Sequence, residues 1–149
     1  MSAAIVGGCM ESDYLEGLKR RVEERDLPVV FRGFHDNIPE LMQCFDVSVL
    51  TTKVETFGLV LVEAMLAGAP VVGSNAGGVP EIIEDGETGL LFDSFDADSL
   101  ADRLGRLYRD DKLRARLALA GREKARDSFD RDTQFAKLLR KLQELAPPA

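Results

Sequence analysis

Residues 55–65 read Glu-Thr-Phe-Gly-Leu-Val-Leu-Val-Glu-Ala-Met, and this stretch decides how the chain around it folds. The residues before it, Asp46 to Leu50, are rich in Val and Leu, which is typical of a buried strand. The apolar run after Phe57 is typical of a helix. We therefore predict that a strand ends, a short loop carries Glu55, and a helix starts near Phe57.

Glu55 and Glu63 place a carboxylate at each end of this run. A helix start has free backbone N–H groups and the positive end of the helix dipole, so it favours an anion such as phosphate. If the helix starts near Phe57, Glu63 lies about two turns in, on roughly the side of the helix entry. Two carboxylates beside such a helix end suit a ligand with hydroxyls at both ends and phosphate between them. A nucleotide sugar is such a ligand.

Strands and helices alternate along the rest of the chain, which indicates an α/β fold with a parallel sheet. After Asp96 the chain reads as helical to its end, with breaks near residues 110–111 and 128–132. A further helix is predicted over residues 12–25. The predicted strands are 3–6, 28–32, 46–50, 70–73 and 89–92.

The stretch 55–65 resembles the E-x7-E element of retaining glycosyltransferases of the family-4 (group 1) type. These enzymes have the GT-B fold, in which two Rossmann-like domains face each other across a cleft. Two glutamates at this spacing are common on solvated helices, so the E-x7-E element alone is weak evidence. The resemblance rests on five further sequence blocks, which occur in the same order as in that family. They are VFRGF at 30–34, DVSV at 46–49, AGAPVVGS at 67–74, GGVPE at 77–81 and DGETGLL at 85–91.

The resemblance implies a doubly wound, Rossmann-like three-layer α/β/α domain over residues 1–149 that binds a nucleotide sugar. In that family the domain opens with a further strand and helix, carrying a basic pair for the donor phosphates. Nothing here matches them, so we expect the chain to lack that unit and the N-terminal, acceptor-binding domain. The absent strand would lie in the middle of the sheet. If the five remaining strands pair across its position, their order becomes 2-1-3-4-5, with Ala3 to Val6 beside Asp46 to Leu50. Otherwise we expect a homodimer to cover the exposed sheet edge.

The resemblance implies roles for both carboxylates. Glu55 would be the catalytic carboxylate facing the donor sugar, either through a transient ion pair with same-face attack or through a covalent glycosyl-enzyme. The alternative is a loop glutamate that the helix dipole stabilises. Glu63 would accept hydrogen bonds from ribose hydroxyls, because a carboxylate offers a vicinal diol two acceptor oxygens. The alternative is a buried glutamate held in a structural ion pair.

The rest of the implied donor-binding set acts through backbone N–H groups, while its side chains are expected to be ordinary core. Gly58 permits a close approach of the backbone. Thr56 has the alternative role of a helix cap and nothing more. Lys53 has two alternative roles, a contact with a phosphate of the donor or an exposed side chain that contacts only solvent. The set consists of Thr56, Phe57, Gly58, Leu59 and Val60.

Two further groups follow the first two strands. Gly7 and Gly8 resemble the strand-end glycines that border the cleft in that family. The nucleobase pocket, which the family forms largely from backbone, would be made by Arg32, Gly33, Phe34 and His35. For His35 the alternative is an exposed loop histidine. Gly77-Gly78 indicates a loop with unusual backbone angles, which is a structural role.

Composition narrows the remaining possibilities. The 149 residues are 45% hydrophobic and 30% charged, as in an ordinary globular chain, and the net charge of −7 argues against a nucleic-acid-binding surface. No apolar run approaches the roughly 20 residues of a membrane span. No signal peptide is visible, and Cys9 and Cys44 make no disulfide framework, so we expect a cytoplasmic location. His35 is the single histidine, which excludes a histidine-rich metal site. The resemblance implies that the transfer step needs no metal, so we expect neither a metal nor a cofactor.

The leading interpretation is the donor-binding half of a retaining glycosyltransferase, which transfers a sugar from a nucleotide-diphosphate sugar to an acceptor hydroxyl. A saccharide or lipid acceptor would bind to the absent domain, so the isolated chain is expected to be inactive. One alternative is a non-catalytic nucleotide-binding or interaction module. Another is part of a nucleotide-sugar epimerase of the same fold, for which the lone His35 gives no support.

Overall fold

The computed structural model describes residues 2–8 and 12–145, in which parallel strands and helices alternate as predicted. Each predicted strand is present, with bounds that differ from the prediction by two residues at most. The strands are β1 (Ala3–Val6), β2 (Val29–Gly33), β3 (Ser48–Leu50), β4 (Val71–Ser74) and β5 (Leu90–Phe92). The helices are α1 (Ser12–Glu24), α2 (Ile38–Met42), α3 (Leu59–Ala67), α4 (Val79–Ile82), α5 (Ala97–Arg109), α6 (Asp111–Phe129) and α7 (Arg131–Leu145).

The chain divides into two compact units, one ending at Ile38 and the other beginning at Pro39. In the first unit β1 and β2 form a parallel pair, which starts with Ala3 beside Val29 and shifts register after Ile5. The N–H of Ala3 donates to the carbonyl of Pro28 at 2.9 Å, which closes the amino end of this pair. Whether residues 1–149 act as one nucleotide-sugar-binding domain stays a prediction.

The predicted order 2-1-3-4-5 is matched only roughly, because the described strands form two sheets, with the orders β1-β2 and β3-β4-β5, instead of one. Each observed neighbour pair occurs in the predicted order, and the pairing of β1 with β3 is the one that does not form. That pairing assumed that β1 is buried on both faces, yet Ala3 and Ala4 are exposed and Ile5 is 44% exposed. Two alanines and one isoleucine offer little apolar area to bury, and solvated backbone groups need no further strand. The homodimer stays a prediction.

β4 is the central strand of the second unit. It pairs in parallel with β3 and β5, so its hydrogen bonds are satisfied on both edges, and all of its residues are buried. Its faces are covered by apolar side chains from the helices, as a parallel sheet requires. One buried cluster consists of Val72, Leu90, Phe92, Leu107 and Leu117. The carboxyl ends of all three strands therefore lie at one edge of a well-packed sheet.

Two aspartates define the starts of the C-terminal helices. Asp96 caps α5, since its Oδ1 accepts the N–H groups of Asp98 and Ser99 at 2.9 Å each. Asp110 caps α6 by accepting the N–H of Leu113 at 2.9 Å. An aspartate at this position pairs amides that the helix cannot, and it explains the break predicted near residues 110–111.

Among the described residues, no helix is long and apolar enough to cross a bilayer. Cys44 is a free, exposed thiol, and Cys9 lies outside the described residues. The cytoplasmic location stays a prediction.

The core of the second unit can be tested with two leucines on α6. Leu117 is fully buried whereas Leu119 is 62% exposed. We expect Leu117→Ala to lower the free energy of unfolding by about 2–5 kcal/mol, because it leaves a cavity. Leu119→Ala should change it by less than about 0.5 kcal/mol. Urea denaturation of both variants measures the difference, and equal losses would contradict this packing.

Candidate functional site

The loop of residues 51–58 leaves the carboxyl end of β3 and carries Glu55. The side chain of Glu55 is half-buried, and its Oε1 accepts the N–H of Phe57 at 3.3 Å. The other carboxylate oxygen has no hydrogen-bond partner among the described residues. Glu55 is therefore oriented by its own loop and keeps one oxygen available for a ligand.

Helix α3 starts at Leu59, two residues later than predicted. Gly58 precedes it as the N-cap in the left-handed conformation, with φ 98° and ψ 43°, and no side chain caps the helix. Glycine adopts this conformation at little cost, so the Phe-Gly step determines where the helix begins. Thr56 is therefore not a helix cap. Glu63 is the fifth residue of α3, about one turn in rather than two.

The first turn of α3 has unpaired backbone donors. The N–H of Leu61 donates to the carbonyl of Gly58 at 2.9 Å. The N–H groups of Gly58, Leu59 and Val60 have no acceptor within the described parts of the chain. Together with the dipole of α3, these groups favour an anion beside the Glu55 carboxylate.

The side chains of the predicted donor-binding set are divided between packing and solvent. The ring of Phe57 meets that of Phe129 edge to face, with centroids 5.6 Å apart. Leu59 is 65% exposed and Val60 is 38% exposed, so the expectation that both belong to the core is wrong. Apart from Glu63, helix α3 is apolar on all sides, and its buried residues are Leu61, Val62, Ala64 and Met65.

Glu63 lies exposed on α3. It forms no ion pair or hydrogen bond through its side chain with any described residue. The alternative of a buried glutamate in a structural ion pair is therefore wrong. An exposed carboxylate on the same helix as the unpaired amides is available to hydroxyl groups of a ligand.

The loop after β5 meets the Glu55 loop through Lys53 and Phe95. The Lys53 ammonium lies 5.5 Å from the centroid of the Phe95 ring, a distance typical of a cation–π contact. Phe95 is 78% exposed and has φ 68°, which is rare for an aromatic residue. A phosphate contact by Lys53 stays open. Sequence reasoning missed Phe95, because no pattern distinguishes it from other loop residues.

The first unit brings its own predicted residues together at the carboxyl ends of β1 and β2. The N–H of Gly7 donates to the carbonyl of Gly33 at 2.8 Å, and both glycines have positive φ, 131° and 63°. Gly8, Arg32, Phe34 and His35 are exposed. His35 is an exposed loop residue, and its Nδ1 accepts the N–H of Asn37 at 3.3 Å. The role of this group as a nucleobase pocket stays a prediction.

No group of three or more His, Cys, Asp and Glu side chains is arranged to hold a metal in the described ranges 2–8 and 12–145. The expectation that the domain needs neither metal nor cofactor stays a prediction.

Comparison with known proteins relates this architecture to sugar transfer. The sequence profile of the family described as "Glycosyl transferases group 1" matches residues 2–124. N-acetyl-alpha-D-glucosaminyl L-malate synthase of Bacillus anthracis is 38% identical over 108 residues, 72% of this chain and 28% of that protein. GDP-mannose-dependent alpha-(1-6)-phosphatidylinositol monomannoside mannosyltransferase of Mycolicibacterium smegmatis is 35% identical over 146 residues, 91% of this chain and 37% of that protein. The chain thus spans between 28% and 37% of the length of these relatives.

The fold is likewise that of known structures. Anabaena Alr3699/HepE in complex with UDP superposes with a TM-score of 0.92 at 34% identity, over 97% of this chain and 41% of that one. Its complex with UDP-glucose gives a TM-score of 0.89 at 33% identity, over 96% of this chain and 41% of that one. The Rossmann-like α/β fold is therefore confirmed.

The exposure of Glu63 leads to a prediction about stability. We expect Glu63→Ala to change the free energy of unfolding by less than about 0.5 kcal/mol, because no described residue pairs with this carboxylate and alanine suits a helix. Urea denaturation measures the change. A loss of several kcal/mol, as expected when a buried ion pair loses one partner, would show that Glu63 has a structural role.

Proposed function

Because the chain belongs to the group 1 glycosyl transferases, we propose that it is the donor-binding part of a retaining glycosyltransferase. The full enzyme would transfer a sugar from a nucleoside-diphosphate sugar to a hydroxyl of a saccharide or lipid acceptor bound outside this chain. The observation that carries the proposal is the arrangement at the end of β3. There the half-buried carboxylate of Glu55 lies next to the unpaired N–H groups that start α3.

In this proposal the amides of Gly58, Leu59 and Val60 donate to the diphosphate. As the bond between the anomeric carbon and the phosphate oxygen breaks, negative charge grows on the leaving nucleoside diphosphate. Backbone donors that already point at this charge stabilise it without reorganising, and the dipole of α3 adds to the effect.

The two carboxylates would bind the two ends of the donor. Glu55 accepts a hydrogen bond from a hydroxyl of the sugar, and its negative charge stabilises the oxocarbenium-like sugar that forms as the leaving group departs. Glu63 accepts hydrogen bonds from the ribose hydroxyls.

The donor class follows from what these groups can recognise. The mannosyltransferase of Mycolicibacterium smegmatis is GDP-mannose-dependent, and Anabaena Alr3699/HepE forms a complex with UDP-glucose. Both molecules consist of a hexose, a diphosphate and a ribose attached to a base, and the proposed groups address the first three of these parts. We therefore propose a nucleoside-diphosphate hexose as the donor.

The two glutamates should have different effects on binding, which calorimetric titration with UDP-glucose, UDP, GDP-mannose and GDP can measure. Glu63→Ala should weaken the binding of the sugar nucleotide and of the bare nucleotide alike. The loss of a hydrogen bond to a charged group should raise both dissociation constants by about ten- to one-hundred-fold. Glu55→Ala should weaken the binding of the sugar nucleotide only, because Glu55 faces the hexose in this proposal.

Glu87→Ala is the matched control for this titration. It removes an exposed carboxylate from the turn before β5, at the opposite edge of the sheet, so binding should not change. Equal losses for both ligands in Glu55→Ala would contradict the sugar-facing role. Wild-type affinity retained in Glu63→Ala would contradict the ribose contact.

A non-catalytic nucleotide-binding module is the second candidate, because the amides of α3 and the carboxylate of Glu55 would bind a nucleotide sugar whether or not transfer follows. A turnover assay separates the two. Transfer of hexose by the full-length protein, lost in Glu55→Gln, supports the transferase, whereas binding of the donor without any turnover supports the module.

A further inference from the structure

Residues 74–78, at the carboxyl end of β4, lie directly against the loop that carries Glu55. The sequence gives Gly77 and Gly78 only a structural role. We propose that Ser74, Gly77 and Gly78 are positioning residues, which fix the Glu55 carboxylate relative to the unpaired N–H groups of α3. This inference rests on the proposed function, because it concerns the same site.

Ser74 holds the start of the loop. It is the last residue of β4 and is 1% exposed. Its hydroxyl donates to the carbonyl of Thr52 at 3.0 Å and accepts the N–H of Thr52 at 3.3 Å. One side chain thus pairs both backbone groups of Thr52, which would be costly to leave unpaired in this partly buried position. The entry of the loop is thereby tied to the end of the central strand.

The two glycines hold the middle of the loop. The N–H of Gly78 donates to the carbonyl of Glu55 at 3.0 Å. A Cβ atom on Gly77 would lie 2.0 Å from that same carbonyl oxygen, and one on Gly78 would lie 2.6 Å from the carbonyl oxygen of Thr56. The two backbones are therefore in direct contact, and any side chain at either position would push the Glu55 segment away.

The loop is packed less tightly than the helix that follows it. α3 is fixed by the buried side chains of Leu61 and Met65, whereas Val54 in the loop is 86% exposed. A displacement caused from residues 77–78 therefore shifts Glu55 more than the amides of Leu59 and Val60, which lie within α3. We expect it to reduce the part of binding that depends on the sugar and to spare the part that depends on the diphosphate.

Gly78→Ala is the sharpest variant for testing this role. Gly78 has φ −80° and ψ −5°, which alanine adopts without strain, so the backbone contacts with Thr56 and Phe57 are the main effect of the added methyl group. Gly17→Ala is the control, since a Cβ atom there has nothing within 4 Å. Should Gly78→Ala fail to fold, Ser74→Ala removes the bonds to Thr52 without adding any atom.

Two readouts on the 149-residue chain test the proposal. Hydrogen exchange measures the protection of amides in residues 51–58. Titration measures the ratio of the dissociation constants of UDP and UDP-glucose, and of GDP and GDP-mannose. We expect Gly78→Ala to speed exchange in residues 51–58 and to lower the ratio several-fold toward one. Gly17→Ala should change neither the exchange of this loop nor the ratio.

The outcomes separate this inference from the proposed function. Unchanged exchange in residues 51–58 of folded Gly78→Ala would overturn the positioning role, as would faster exchange with an unchanged ratio. If the wild-type chain binds neither sugar nucleotide, the proposed function is wrong. The claim that residues 74–78 position Glu55 for the donor is then wrong as well. The exchange data then still decide whether residues 74–78 hold the loop.

Discussion

The site depends on the burial of β4. This strand is paired on both edges and packed on both faces, and a Cβ atom on its Gly73 would lie 2.6 Å from a methyl group of Val79. Helix α4 can approach this closely only because residue 73 has no side chain. A strand so tightly enclosed has little freedom, and the chain that leaves it at Ser74 starts from a fixed point. The Glu55 loop packs against residues 74–78, so the well-packed core fixes the position of the proposed donor site.

The proposed site binds an anion without a cluster of basic side chains. The chain carries a net charge of −7, and the charged groups assigned to the donor are the carboxylates of Glu55 and Glu63. Attraction for the diphosphate is assigned to the backbone amides and the dipole of α3. The Phe57 N–H, which donates to Glu55, offsets part of the repulsion between this carboxylate and a phosphate. These assignments are chemically consistent, because amide N–H groups donate hydrogen bonds to phosphate oxygens and carboxylates accept them from hydroxyl groups.

Much of the fold could be predicted from periodicity and turn residues. β4 is buried on both faces and β5 on at least one, so both strands are continuous apolar runs in the sequence, and aspartates mark the starts of α5 and α6. The start of α3 was missed because the apolar pattern extends through Phe57, whereas the left-handed conformation of Gly58 delays the helix. The pairing of β1 with β3 was predicted from the apolar character of residues 3–6, which does not reveal how little area two alanines bury.

The candidate site was predictable in part. The two glutamates and the amides of α3 follow from one stretch of sequence, and the structure puts Glu55 beside that helix start. The roles of Ser74, Gly77 and Gly78 were not predictable, since they act through contacts between segments about twenty residues apart. Phe95 was likewise invisible, because its approach to Lys53 depends on the ends of β3 and β5 lying at the same edge.

The most direct test of the central claim is a two-dimensional NMR titration, in which proton and nitrogen shifts of backbone amides are followed as UDP-glucose or GDP-mannose is added. If the start of α3 binds the diphosphate, the amide resonances of Gly58, Leu59 and Val60 should show the largest shifts in the second unit, at saturating ligand. Saturable binding that leaves these three resonances unmoved would contradict the account.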